Sequence, residues 1–385
     1  MLLTGAILQL FLGIIYVWSV FVAPVSNFFS WDSASVKLTS SFMLCCFVLG
    51  ILFGGKLQVK IGSQKTVLSG GLLMAAGMLL TSFIPMNAPW IIYISYGIAG
   101  GFGVGMAYNA IISSAQSWFV HKRGMATGIS VCTFGFSTVI FVPVIKILVE
   151  KFELMNTFRI LAATFFVITL LLFRFITMPE AATAKKAAVS EKKQYTTSEM
   201  IKTPAFFMIM FSMMFLTSSY FILNPSFITL AESRGMTATL SAALVMLTGI
   251  ASSLGRLAVP LLGDKIGREK AVISIILATA AATASLCFAS GPLLMVVIAV
   301  IAFCYGGSSG IYPIVTSDYF GIKNIGSNYG AIMVGFACSA LLFPIFINMI
   351  SNEIAKFLVL TVLVALGSLL IMLLMLRKKK MSAVT

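Results

Sequence analysis

The chain has 385 residues, 59% of them hydrophobic and only 10% charged, with a formal net charge of +15. A soluble domain carries about 25% charged residues, so an aqueous fold is excluded and lipid must be the solvent for most of this surface. The excess of Lys and Arg does not point to nucleic acid. It sits in short stretches between apolar runs, the pattern of topology signals and contacts for anionic lipid.

A bilayer core of about 30 Å takes roughly 20 apolar residues in a helix. Twelve segments qualify, near 2–25, 37–57, 66–85, 90–118, 125–147, 157–177, 204–229, 238–263, 270–290, 292–317, 326–349 and 354–376. The first charged residue is Asp32, so no basic signal-peptide region is visible, and a span starting at Leu2 leaves room for a few cytoplasmic residues ahead of Met1. The predicted fold class is an all-α membrane protein, twelve transmembrane helices in two pseudo-symmetric six-helix halves. Residues 1–177 make the N-terminal half, 178–203 a cytoplasmic linker, 204–376 the C-terminal half and 377–385 a basic cytoplasmic tail. The Ala, Lys and Ser content of the linker reads as solvated, with an amphipathic turn over 197–202 ahead of Pro204.

Orientation follows from the cations. With both termini in the cytoplasm, that side holds 19 Lys and Arg and the outer side 6, leaving Arg256 inside a span. The expected location is therefore a plasma membrane, such as a bacterial inner membrane, crossed many times. An internal repeat supports the division into halves: residues 55–62 read GKLQVKIG and residues 260–267 read PLLGDKIG. Each is a basic, glycine-bearing turn after the second helix of its half. In the second copy Asp264 can pair with Arg268 or with a neighbouring helix end; in the first, Val59 replaces the acid and Lys60 supplies the base.

Two six-helix halves, a basic central stretch and this turn resemble the major facilitator superfamily. A closer resemblance is to the oxalate/formate antiporter family and the related monocarboxylate transporters. It is carried by residues 13–21 (GIIYVWSVF) through Pro24, the glycine-rich fourth span ending Trp118-Phe119, and residues 121–128 (HKRGMATG). Arg256 ahead of its Asp-Lys-Ile-Gly-Arg turn, Gly306-Gly307-Ser308, residues 317–321 (SDYFG) and Asn328-Tyr329-Gly330 complete it. The resemblance implies a transporter working by alternating access, with the Arg256 position binding substrate carboxylate and Tyr16 and Tyr108 at cavity positions. The resembled oxalate exchanger has a second essential cation, a lysine, where this chain has Phe336. Other polar positions of that site are here Ile15, Phe134 and Ser309.

Arg256 is the most informative residue. It lies in an otherwise uncharged stretch, 240–262, eight residues from Asp264, or about 12 Å along a helix. A cation at that depth costs at least about 2.5–3.5 kcal/mol on insertion scales. All eleven acids fall in loops or at span ends. A guanidinium matches a carboxylate in a two-pronged geometry; snorkelling to the interface and a structural role are the plain alternatives. Tyr16, Trp18, Tyr108, Tyr305 and Tyr312 are candidate cavity aromatics, each equally at home in helix packing. Asn109 either lines the cavity or bonds across to a neighbouring helix.

Gly97, Gly100, Gly101, Gly103 and Gly105 read as a close-packed helix interface rather than a phosphate loop, because no strand precedes them and no Gly-Lys-Ser/Thr follows. Gly306, Gly307 and Gly310 ahead of Pro313 read the same way for the tenth span. The six cysteines all lie in apolar runs and read as packing residues. The one histidine, His121, lies between spans, and no in-span carboxylate or metal motif exists. Catalysis, metals and cofactors are not expected.

The reading is a secondary active transporter of small organic anions, with monocarboxylates of the formate, acetate, lactate or pyruvate class expected. The alternatives are an oxalate or dicarboxylate exchanger, or efflux of an unrelated amphiphile. Substrate binding is assigned to Arg256, Tyr16, Tyr108, Phe336, Trp18, Tyr305 and Tyr312, and the gating turn to Asp264, Arg268 and Lys60. The partners expected are the anion and membrane lipids, with no nucleic acid, for a monomeric protein.

Overall fold

The computed structural model describes residues 1–179 and 194–382. Most of the expected linker, and the charged side chains of the expected tail, lie outside the described residues. The described residues are helical, and no strand occurs among them.

Nine stretches among the described residues are long and apolar enough to cross a membrane. Two are too long for one crossing: Ser33–Thr81 has 49 residues and Arg123–Leu172 has 50, which would each run about 75 Å if straight. Each turns at a single residue. Gly62 has φ 83° and Glu153 φ 64°, backbone that no α-helix contains. Dividing both there and adding Arg268–Ser285 gives the twelve segments that the sequence predicts. The first repeat turn is thus a one-residue corner rather than a loop. Large apolar side chains such as Leu171 (62% exposed), Met246 and Phe288 face outward, as lipid requires and water would not allow in such numbers.

The expected turn ahead of Pro204 is present as Thr197–Met200, closed by a reciprocal capping box between Thr196 and Glu199. Pro204 then takes the first position of its helix, where its missing N–H costs nothing.

The described residues pack as two compact units. The first falls within 1–121, 133–194 and 321–331, and the second within 122–132, 195–320 and 332–385. In the first unit, the Tyr93–Trp118 stretch lies backbone to backbone on Ser33–Thr81. A Cβ on Gly105 would overlap the Phe47 carbonyl, and one on Gly101 would overlap that of Met43. The glycines of the fourth span therefore do form the close interface expected of them. The second unit has its own apolar core, in which Leu223, Phe227, Leu244, Ile298 and Leu360 meet. The six cysteines are free thiols.

Candidate functional site

The helix Ala238–Ile266 carries Arg256 and lies against Gly291–Phe320 along a seam of glycines. A Cβ on Gly255 would overlap the Phe303 carbonyl, one on Gly306 the Ser252 carbonyl, and one on Gly310 would come within 2.5 Å of the Arg256 carbonyl. The seam fixes the rotation of the arginine helix. Arg256 is held at 4% exposure, enclosed by the protein. The thiol of Cys132, itself buried, lies within electrostatic reach of the guanidinium.

Tyr305 and Phe336 are brought together in the second unit, and two residues that the sequence reading missed complete the cluster. The rings of Tyr220 and Tyr305 stack with centroids 3.9 Å apart and planes 9° apart. Phe221 meets Phe336 edge-on at 4.9 Å and Tyr305 at 5.6 Å. Tyr305 and Phe336 lie 6.1 Å apart. The result is a four-ring aromatic wall from three helices. Tyr312 stands apart: fully buried, it shares a 2.7 Å hydrogen bond with the Ser212 hydroxyl, as a packing tyrosine does.

In the first unit, Tyr16 and Tyr108 share one neighbour. The Phe134 ring lies 5.3 Å from Tyr16 and 4.8 Å from Tyr108. Tyr16 sits in a 3₁₀ stretch, Gly13–Val17, that interrupts the first span. Gln9 fixes the register of that span by donating from Nε2 to the Tyr108 carbonyl at 3.2 Å. Trp18 points elsewhere. Its indole N–H donates to the Val36 carbonyl at 3.0 Å and its ring packs on Tyr96 at 4.7 Å.

The second repeat turn is ionic. Asp264 pairs with Arg268 at 2.5 Å, Arg268 reaches Asp318 at 3.5 Å, and Asp318 pairs with Arg123 at 3.0 Å. Tyr319 adds a bond from its hydroxyl to Glu269 at 3.0 Å. Gly124 is seated against Asp264 and the Pro260 carbonyl, with no room for a side chain. Arg123 and Asp318 were legible only as charges at span ends. The first turn has no such network: Val59 is 59% exposed, Lys60 is exposed, and no ion pair of Lys60 occurs among the described residues.

The family profile of the Major Facilitator Superfamily matches residues 2–344 and, in an overlapping second match, 217–384. The chain belongs to that superfamily. Among its relatives, YhjX of Escherichia coli K12, described as an uncharacterized MFS-type transporter, is 28% identical over 352 residues, covering 88% of this chain and 85% of YhjX. The oxalate:formate antiporter of Oxalobacter formigenes is 25% identical over 83% of this chain and 76% of its own. Monocarboxylate transporter 12 of Xenopus laevis is 24% identical over 85% of this chain and 76% of its own. Solved structures agree on the fold. A XylE variant superimposes with a TM-score of 0.73 at 15% identity, over 96% of this chain and 94% of that one. FucP gives 0.71 at 15% identity, over 97% and 98%. The chain is accordingly a multi-pass membrane transporter and not an enzyme.

Proposed function

We propose that this transporter carries small monocarboxylates, of the formate, acetate, lactate or pyruvate class, and binds their carboxylate through Arg256. The observation that carries the reading is a guanidinium at 4% exposure in a stretch, 240–262, that holds no other charge. The planar fork of a guanidinium matches the two oxygens of a carboxylate with two charge-assisted hydrogen bonds. The relatives named for oxalate, formate and monocarboxylates support the substrate class. Phe336, packed against Phe221 and Tyr305, supports one charged end rather than two. Such a wall receives a methyl or a short chain and offers a second carboxylate no cation. Transport by alternating access in a plasma membrane, with both termini cytoplasmic, completes the proposal.

The test is uptake into proteoliposomes with thermal-shift binding in parallel. Charge-assisted bonds contribute about 1.5–3 kcal/mol each, so Arg256→Lys, which keeps the charge and loses the fork, should raise the half-saturating substrate concentration by about tenfold or more. Ligand-induced stabilisation should fall in step. A folded Arg256→Ala protein with wild-type uptake would refute the assignment.

A further inference from the structure

At the first repeat turn, where the ionic network of the second turn has no counterpart, the structure places a cluster of uncharged amides and hydroxyls. All of it lies within the first unit. Asn109, 1% exposed, donates both hydrogens of its Nδ2, one to the Ile51 carbonyl at 2.8 Å and one to the Gly326 carbonyl at 2.7 Å. One side chain on the fourth span thereby clasps the second span to the first turn of Ile325–Asn348. One turn along, Ser113 donates to Gln58 Oε1 at 2.8 Å, and Gln58 Nε2 donates to the Ser63 hydroxyl at 2.8 Å.

The clasped backbones touch directly. A Cβ on Gly55 would overlap the Gly326 carbonyl carbon and the Ser327 nitrogen, and one on Gly330 would lie 2.8 Å from the Leu52 Cα. No water fits such a seam. A second feature acts against it. Gln116 lies seven residues on from Asn109, two turns along the same helix face. It is fully buried, and neither polar atom of its amide finds a partner among the described residues. Burying an amide without a bond is unfavourable, so Gln116 is better satisfied when this face is wetted.

We propose that Asn109 is the positioning residue of an uncharged seal at the Lys56–Lys60 end of the first unit, opposed by Gln116, and that the two set how readily that end opens. Asn109 closes by clasping two carbonyls, and Gln116 opens by seeking water. The seal contains no ion pair, so its strength is independent of salt, unlike that of the Arg123–Asp318–Arg268–Asp264 network. The inference rests on the chain being a transporter and makes no use of Arg256 or of any substrate.

The test reads exposure of the seam. Ser327, 5% exposed beside Gly326, becomes the reporter as Ser327→Cys in full-length protein whose six native cysteines are replaced. The rate of maleimide labelling in lipid nanodiscs is measured with no ligand present. Asn109→Leu, similar in size and without donors, should label about tenfold faster, the factor that loss of one or two buried bonds gives. Asn109→Gln, which keeps both donors, should restore part of the protection, and Gln116→Leu should slow labelling below wild type. Raising the salt should leave these ratios unchanged. A second reporter, native Cys304 retained alone in the other unit and 2% exposed, should label at one rate throughout. Wild-type labelling in Asn109→Leu, faster labelling in Gln116→Leu, or a parallel rise at Cys304 would each overturn the proposal. If Asn109→Leu does not fold, Asn109→Ser, which keeps one donor, takes its place, and an unchanged rate there is equally decisive.

Discussion

The glycine seam of the second unit can be tested at one atom. In Gly306→Ala, the new Cβ would overlap the Ser252 carbonyl oxygen and lie 2.6 Å from its carbon and 2.8 Å from the Ser252 Cα. Ordinary contact begins at 3.4 Å, and backbone cannot rotate away as a side chain can. The two helices must part by roughly 1 Å, a strain of about 1–3 kcal/mol on the scale of overpacked cores. For a unit of this size that is a fall in melting temperature of about 2–4 °C per kcal/mol. Arg256 lies on one of the two helices and Tyr305 on the other, so maximal uptake should fall as well. The comparison is Gly249→Ala, on the same helix as Ser252, where an added Cβ meets nothing within 4 Å. That variant should be neutral or gain up to about 1 kcal/mol from helix propensity. Melting curves of both purified variants, with uptake into proteoliposomes, decide the matter. If Gly306→Ala melts at or above wild type, or the two variants behave alike, the seam is not close-packed and does not orient Arg256.

Asp318→Asn removes the pairs with Arg123 and Arg268; since Asp318 is 30% exposed, each contributes about 0–1 kcal/mol. The melting temperature should drop by a few degrees in low salt and the difference should shrink in high salt, whereas a salt-independent loss would contradict the ionic reading. Oxalate should compete with labelled substrate more weakly than lactate, pyruvate or formate, because its second carboxylate would meet the rings of Phe336 and Phe221 without a partner, at a cost of several kcal/mol; oxalate as the strongest competitor would reverse the substrate class. Neutralising Glu150, Glu153, Asp264 and Asp318 one at a time should leave the response to a proton gradient intact, since intramembrane proton relays use acids or histidine at depth and this sequence has none inside a span. A folded mutant that still exchanges anions but ignores the gradient would identify the carrier.

The sequence made the spans, the repeat turns and Arg256 legible because each rests on a contrast with lipid: long apolar runs, charges grouped between them, one charge out of place. Gly62 was readable as a corner, since glycine tolerates positive φ. Glu153, with φ 64°, carried no such mark, and its turn could be located only as a break in hydropathy. Tyr220 and Phe221 escaped notice because 204–223 is apolar on every side, and a helix without a polar face does not show which side meets protein and which meets lipid. Trp18 and Tyr16 were both candidates as aromatics of the first span. Two residues along a helix are about 200° apart in rotation, and the structure duly sends Tyr16 to Phe134 and Trp18 to Tyr96.

The two repeat turns show how one architecture tolerates different chemistry at equivalent places. The second turn joins Asp264, Arg268, Asp318 and Arg123; at the first, Gln58 bonds Ser63 and Ser113, and Asn109 bonds the Ile51 and Gly326 carbonyls. Part-exposed ion pairs contribute little net stability each, and buried neutral hydrogen bonds about 1 kcal/mol, so neither set alone would hold helices together. Both turns instead have backbone pressed on backbone or side chain without intervening space: Gly55 on Gly326 in the first, Gly124 on Asp264 and Pro260 in the second. Close packing is the common element of the two turns. Where the second turn has Asp264 the first has Val59, and the buried amides of Gln58 and Asn109 make the polar contacts there instead.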